Sequence, residues 1–571
     1  MAPKVGVYVC HCGINIAHTV DVEEVARAAK ELPDVAVARD YIYMCSDPGQ
    51  QLIQDDIREL SLDRVVVASC SPRMHELTFR RAIREAGLNP YYLQIANIRE
   101  QCSWVHPERE SATEKAKGVV SAAVARSRLL QPLEERDAGV TPAVLVIGGG
   151  VAGLQAALDI AEAGYQVYLA EKEAELGGHV AEFPRTFPTL ENVQALLSAL
   201  VERVQAHPNI QLLTSSRVAA VDGFIGNFRV QVDTGYEDSG SLRSTDLTVG
   251  AIIVATGFDT FDARLKPEFG YAAYDRVITG LELERRLSDL YASDEKSALG
   301  AGDLKNVVFI QCVGSRDRSV GNPYCSRVCC MYTAKQAHLL REQLPDARIT
   351  VFYMDVRAFG KGFEQFYDKV REERVLYRRG SPSEIYQRGD RLVVRAEDTL
   401  LGKPVEVEAD LVVLATGMVP RSDADNISSL LKLSRSEDGF FMELHPKLRP
   451  VDTTTDGIFL AGCCQAPKDI ADTVAQAKAA ASSALIPLSL GKVAVESVTC
   501  AVDPLLCSGC GLCEAACVFG ALRLDERRGV MTANQVLCKG CGACAMVCPS
   551  GAIVLRHFTP DQILAEVEAA V

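Results

Sequence analysis

The chain has 571 residues, 48% of them hydrophobic, a formal net charge of -15 and twenty cysteines. That length and apolar content suit three or four domains with a substantial core, and they exclude a disordered or low-complexity chain. The acidic balance argues against nucleic acid as a partner, and no stretch approaches the roughly eighteen uninterrupted apolar residues of a membrane span.

The opening MAPKVGVYVCHCG has neither a charged n-region nor an apolar h-region, so the expected location is the cytoplasm. Clustered cysteines in such a chain point to metal ligands in a reducing, anaerobic setting rather than to disulfides. Residues 1–135 are expected to form a separate cysteine-containing α/β domain. VGVYVCHCG and VVVASCSP read as strands, and the polar stretch LEERDAGVTP reads as a linker. Cys10, Cys12, Cys45, Cys70 and Cys102 fall at strand or loop ends. They suit a further cluster, or a set of thiols buried where the domain packs over its neighbour. Trp104 and His106 read as structural.

Residues 143–171, AVLVIGGGVAGLQAALDIAEAGYQVYLAE, read as strand, glycine turn, helix and second strand. Gly148, Gly150 and Gly153 supply G-x-G-x-x-G, and Glu171 stands where a ribose-binding carboxylate is needed, so a dinucleotide pyrophosphate is expected on the helix N-terminus at Val151 and Ala152. Two strand-then-ATG segments, AIIVATGFDTF and LVVLATGMVPR, resemble those of the two-dinucleotide flavoproteins that include thioredoxin and glutathione reductases. DGIFLAGCCQAPKDIADTVAQAKAAA resembles that family's closing strand, loop and helix. The resemblance implies FAD, held by the glycine turn, Glu171 and Lys172, by Ala255, Thr256 and Gly257, by Gly417, and by Gly462, Cys463, Asp469 and Ile470. Cys463 stands where that family has an acidic residue, so the ribityl contact must come from backbone or another group.

Between the ATG segments those reductases carry a second glycine fingerprint for NAD(P)H. Here NVVFIQCVGSR runs into Cys312 and Gly314 without one. Cys312, Cys325, Cys329 and Cys330 lie in its place, at the mouth of a helix expected from Met331. Four cysteines so close could close around a [4Fe-4S] cluster or lie as buried free thiols. Lys361 and Glu364, in GKGFEQFY, suit flavin tuning or a solvated helix end.

Near the C-terminus Cys-x-x-Cys-x-x-Cys-x-x-x-Cys occurs twice, as Cys507, Cys510, Cys513, Cys517 and as Cys538, Cys541, Cys544, Cys548. This is the ligand spacing of a two-cluster ferredoxin, in which the fourth cysteine of each run serves the other cluster. The expected sets are therefore Cys507, Cys510, Cys513 with Cys548, and Cys538, Cys541, Cys544 with Cys517. Val518 stands where proline is usual. The last segment, TPDQILAEVEAAV, places Ile563, Leu564, Val567 and Val571 near helical spacing and is expected to pack on the core or a partner.

Taken together, GVYVCHCGINI, YIYMCSDPGQQLI, VVVASCSPRMHELTFR, LNPYYLQIANIREQCSWVH, VGNPYCSRVCCMYTAKQA and RAFGKGFEQFY resemble the A-type flavin and iron-sulfur subunits of heterodisulfide reductase, nearly end to end. The resemblance implies that Cys312, Cys325, Cys329 and Cys330 ligate a cluster near FAD. It also implies electron bifurcation between ferredoxin and a higher-potential partner. The expected partners are heterodisulfide reductase B- and C-like subunits, ferredoxin and an electron-input module (hydrogenase, formate or NADH dehydrogenase), with room for a dimer in a larger complex. The family's inserted ferredoxin module and the cysteine motif after the first flavin helix are absent, which marks a short form. Two other functions stay open: a serial electron relay, and an NAD(P)H-fed oxidoreductase like the small subunit of glutamate synthase. The expected fold class is α/β, a thioredoxin reductase-like two-dinucleotide flavoprotein with an N-terminal α/β domain and a C-terminal two-cluster ferredoxin domain. Its expected segments are 1–135, 141–300 (FAD, first part), 301–404 (central), 405–495 (FAD, second part), 496–558 (ferredoxin) and 559–571 (terminal helix). The expected cofactors are FAD and three [4Fe-4S] clusters, with a fourth if the N-terminal cysteines hold one.

Overall fold

The computed structural model describes residues 2–235, 243–293 and 304–570. The expected boundary at 300/301 and Val571 lie outside the described residues. The chain folds as two compact units, Met1–Asp137 with Ala494–Val571, and Ala138–Val493.

The first unit joins the two ends of the chain, so residues 1–135 do not stand as a unit of their own. Its N-terminal part is a four-stranded parallel sheet in the order Val35–Tyr41, Val5–Cys10, Arg64–Ser69, Leu93–Asn97. Its apolar strands Val5–Cys10 and Arg64–Ser69 are central and almost wholly buried, as parallel strands covered on both faces must be. The C-terminal part has two short antiparallel pairs, Cys500–Val502 with Ile553–Leu555 and Leu522–Asp525 with Val530–Ala533. Arg126, on the helix Arg109–Ser127, ties the parts together, donating to the His557 carbonyl at 2.8 Å and pairing with Glu566 at 3.3 Å.

The terminal helix Pro560–Ala570 lies along Arg109–Ser127, but not through its apolar residues. Gln562 is buried and donates to the Leu129 carbonyl at 2.8 Å, while Ile563, Leu564 and Val567 are exposed. The helices meet at Gly118, where a Cβ would make ordinary van der Waals contact with the Ala570 carbonyl oxygen at 3.6 Å.

In the second unit, a parallel sheet in the order Ile458–Leu460, Ala251–Val254, Ala143–Ile147, Gln166–Ala170, Ile210–Leu213 carries the glycine turn. A second parallel sheet runs Val277–Thr279, Leu411–Thr416, Asn306–Val313, Arg348–Tyr353, Leu376–Arg379. The strand of the second ATG motif thus belongs to the central sheet. The central domain therefore extends beyond both expected limits, 301 and 404. Two three-stranded antiparallel sheets, Ser216–Phe224 to Arg243–Val249 and Pro382–Arg388 to Lys403–Ala409, and the short antiparallel pair Asp259–Thr260 with Met418–Val419 also belong to the unit.

Lys335, on the helix Cys329–Gln343, pairs with Glu284 at 2.8 Å, and both side chains are almost fully buried, at 3% and 4% exposure. Lys335→Met would leave Glu284 charged and without its cation, so an expected loss of about 3–5 kcal/mol should show as a lower urea midpoint. Among the described residues no helix is long and apolar enough to cross a membrane.

Candidate functional site

At the first dinucleotide turn, Gly148 has φ +110°, and Gly150 caps the helix Val151–Glu162. A Cβ at Gly148 would meet the Ala255 carbonyl oxygen at 2.4 Å and one at Gly153 would meet that of Gly148 at 1.8 Å, whereas nothing lies within 4 Å of a Cβ at Gly150. One glycine makes the turn, one packs helix on strand, and one leaves open the approach a pyrophosphate needs, with Val151 and Ala152 in the first helical turn behind it. The Glu171 carboxylate is held beside the turn by the N–H groups of Gly149 and, at 2.9 Å, of Glu173. Lys172 faces carboxylates, at 3.8 Å from Glu173 and 3.7 Å from Asp423. Ala255, Thr256 and Gly257 continue the neighbouring strand past the turn, the Ala255 N–H donating to the Ile147 carbonyl at 2.8 Å.

The closing loop meets this turn directly. A Cβ on Gly462 would come within 2.8 Å of the Ala152 methyl, and Asp469 caps the helix Ile470–Leu490 by accepting from the Asp472 N–H at 2.8 Å. Cys463 turns its sulfur inward, 3.4 Å from the Lys468 carbonyl, and burial pushes its thiol up. Beside it the Cys464 thiol is pushed up to about 12, again by burial. Sequence reasoning passed over Lys468 and Gln476. Lys468 is buried, its ammonium donating to the carbonyls of Gly462 (2.9 Å) and Ala466 (2.7 Å), and Gln476 accepts from the Gly462 N–H at 2.8 Å. A lysine directly before a helix cap, in APKDI, was the available signal. The Gly417 carbonyl accepts from the Phe261 N–H at 2.9 Å, just past the Ala255–Gly257 segment. Gly417 also lies against the cysteine loop, where a Cβ would meet Ser326 Oγ at 2.8 Å.

In the central sheet the strand Asn306–Val313 and the helix Cys329–Gln343 stand where a second dinucleotide turn would lie. A long cysteine-bearing loop joins them instead. The helix begins at Cys329, not Met331, so Cys329 and Cys330 sit in its first turn. Cys312, Arg316 and Arg327 all have left-handed backbone, φ +63°, +56° and +63°, a cluster of strained non-glycine residues of the sort found at functional sites. Burial pushes the Cys312 thiol up to about 12, with Cys330 and Cys325 adding to the effect, and Cys329 is raised by burial and then by Cys312, Cys330 and Cys325. Cys329 and Cys330 are buried and Cys312 and Cys325 half-buried, so the four stand as neighbours at the start of the helix. Lys361 and Glu364 are exposed, just before and just inside the helix Phe363–Glu372.

The N-terminal sheet places Cys10 at the end of one central strand and Cys70 just past the end of the other. Chain connections leave this strand pair in opposite directions, which makes the crevice at its carboxyl end the usual ligand position of an open parallel sheet. Cys10 accepts from the N–H groups of Cys12 at 3.3 Å and Met44 at 3.4 Å, and Cys12, Cys45 and Cys70 lie within electrostatic reach of it or of one another. Arg99, missed in the sequence, brings a guanidinium nitrogen to 3.6 Å from Cys12 Sγ. Cys102 is buried in the apolar core with Ala96, Ile98 and Ala112, a core that Cys12 packs against.

In the C-terminal module a small pocket is lined by Cys517, Cys538, Cys541 and Cys544. The fourth cysteine of the first run thus stands with the first three of the second. The N–H groups of Ala521 and Met531 donate to Cys517 and Cys507, both at 3.3 Å, in the manner that suits sulfurs acting as metal-bound acceptors. The pocket also holds a ninth cysteine, Cys500, that sequence reasoning left out; its signal was position, seven residues before Cys507. Among the described residues no three His, Cys, Asp or Glu side chains stand at the spacing of a single-ion site. A four-iron cube takes its ligands at separate corners and needs a wider gathering than one ion.

Residues 142–484 match the family of pyridine nucleotide-disulphide oxidoreductases, and residues 506–552 match the 4Fe-4S dicluster domain. The chain is 47% identical to an A-type iron-sulfur subunit of the CoB--CoM heterodisulfide reductase of Methanopyrus kandleri, over 92% of each chain. It is 46% identical to the A-type subunit of the H(2):CoB-CoM heterodisulfide,ferredoxin reductase of Methanothermobacter marburgensis, over 100% of this chain and 97% of that one.

The chain belongs to the family of heterodisulfide reductase A-type subunits.

A further relative in that family, 40% identical over 99% of this chain and 98% of its own, is the A-type subunit of the H(2)/formate:CoB-CoM heterodisulfide,ferredoxin reductase of Methanococcus maripaludis. As a member of this heterodisulfide reductase family the chain is an oxidoreductase that joins a flavin-type redox domain to a 4Fe-4S domain. The alignment with the Methanothermobacter marburgensis protein spans 644 positions against the 571 residues here, so that relative carries segments this chain lacks.

Proposed function

We propose that this chain is the flavin and iron-sulfur core of a heterodisulfide reductase-like complex, taking electron pairs at FAD and parting them between ferredoxin and a higher-potential partner subunit. FAD supplies two-electron exchange and each cluster one-electron exchange. The observation that carries the reading is the pair of sites in the second unit. A complete dinucleotide turn stands at Gly148–Gly153, and four cysteines replace the second one. The proposed FAD contacts are the glycine turn with Val151 and Ala152, Glu171, the Ala255–Gly257 segment and the Gly462–Ile470 loop. The two helix N-termini at Val151 and Ile470 offer donors and positive field to an anionic ligand. Lys172 and Gly417 have less support, the first because it pairs with carboxylates and the second because it packs on Ser326.

The proposed cluster ligands are Cys312, Cys325, Cys329 and Cys330, and the two crossed sets of the ferredoxin module. A fourth cluster is proposed on Cys10, Cys12, Cys45 and Cys70, without Cys102. Among the described residues no cysteine lies in a disulfide, which leaves the proposed ligands free to bind iron. The relatives' names support a ferredoxin acceptor, a disulfide-reducing partner and a hydrogenase or formate dehydrogenase input. Anaerobically purified chain should carry about sixteen iron atoms per FAD with four cubes, or about twelve with three. NADH or NADPH added alone should leave the flavin's visible absorbance unchanged, and prompt bleaching would overturn the loss of the nicotinamide site. In the purified complex, ferredoxin should be reduced only while the higher-potential acceptor is also supplied. Ferredoxin reduction without that acceptor would make the chain a serial relay.

A further inference from the structure

The two halves of the ferredoxin module repeat one another, and a buried position beside a proposed cluster ligand differs between them. Cys507 opens the first run and Cys538 the second. Each accepts a backbone N–H from a strand residue, Cys507 from Met531 at 3.3 Å and Cys538 from Cys500 at 3.4 Å. Met531 and Cys500 therefore occupy equivalent places. The thioether of Met531 has no proton to give, whereas Cys500 carries a thiol.

Cys500 is 1% exposed, is packed with Leu522, Met531 and Ile553, and has its Sγ 3.7 Å from that of Cys538. It lines the same pocket as Cys517, Cys538, Cys541 and Cys544, so five sulfurs border a place where a cube takes four. Once Cys538 binds iron as a thiolate it has no proton, and the only S–H left between the two sulfurs is that of Cys500. Adding an electron makes a cluster more negative, so a hydrogen bond to a ligand sulfur favours the reduced form and raises the potential. Burial strengthens the effect, because little solvent competes for the sulfur.

We infer that Cys500 is a positioning residue: its thiol and backbone N–H both donate to Cys538, and they hold the cluster of Cys517, Cys538, Cys541 and Cys544 at a higher potential than its twin. The inference rests on the crossed ligand sets proposed above. It assigns electrons entering the module to that cluster first, through the side chain that differs between the two equivalent positions.

The test is an EPR-monitored potentiometric titration of the full-length protein, with iron counted on each sample. Cys500→Ala should keep its iron and lower one of the module's two potentials. At the wild-type midpoint its reduced-to-oxidised ratio should fall about tenfold, equivalent to about 59 mV for one electron. Cys500→Ser, which keeps a donor, should stay near wild type. Met531→Cys should raise the other potential. Full iron with unchanged potentials in both Cys500→Ala and Met531→Cys would overturn the inference. Loss of about four iron atoms in Cys500→Ala and Cys500→Ser alike would also overturn it, by making Cys500 a ligand. A wild-type module that binds no cubes would instead remove the cluster reading beneath it.

Discussion

Cys517→Ala and Cys541→Ala should destroy the same cluster, although the two residues belong to different cysteine runs. Each single variant should lose about four iron atoms, and the double variant Cys517→Ala/Cys541→Ala should lose no more than either, again about four. Cys517→Ala/Cys510→Ala, whose two residues come from one run, should lose about eight. Uncrossed ligation predicts the opposite pattern, so iron analysis of four variants decides the matter. The structural ground is the pocket that gathers Cys517 with Cys538, Cys541 and Cys544. A local loop can present three sulfurs to one cube, but its fourth corner points away and must be filled by a separate segment. The short helices Leu512–Ala516 and Ala543–Met546 lead the chain from the third cysteine of each run to its fourth.

The second large effect is expected at the glycine turn, where two substitutions of equal size should behave differently. Gly153→Ala puts a methyl group 1.8 Å from the Gly148 carbonyl oxygen, a backbone atom that no side-chain rotation can move. The helix Val151–Glu162 must shift off its strand, at a cost of about 3 kcal/mol, the upper part of the usual range for overpacking. The protein should lose both flavin and thermal stability, and the loss of a bound ligand lowers the melting temperature further. Gly150→Ala places its methyl group in open space, at a φ of -75° that alanine adopts readily. The flavin-free fold should change by no more than about 0.5 kcal/mol. FAD affinity should fall at least about tenfold, or about 1.4 kcal/mol, because that space is where the pyrophosphate approaches. Flavin retained by Gly150→Ala at wild-type affinity would mean that the turn holds no pyrophosphate.

What could be read without coordinates was chemistry written in short windows. The cysteine spacing of the ferredoxin runs, the glycine turn with Glu171, and the missing second fingerprint each occupy a few residues whose local geometry is itself the requirement. Strand, turn and helix there follow from neighbours in sequence, so the reading of cofactor class and fold class needed little else. The tertiary structure alone decided matters that depend on distant segments meeting. It joined the two ends of the chain into one unit through Arg126, and it put Cys102 in the apolar core while Cys10 and Cys70 lie at the ends of the central strands. It packed Gly417 against the cysteine loop, turned the apolar residues of the last helix outward, and set Cys500 beside Cys538. Spacing along a chain determines which groups can bind together within one loop. Only packing, which brings residues hundreds of positions apart into contact, determines which neighbours tune them.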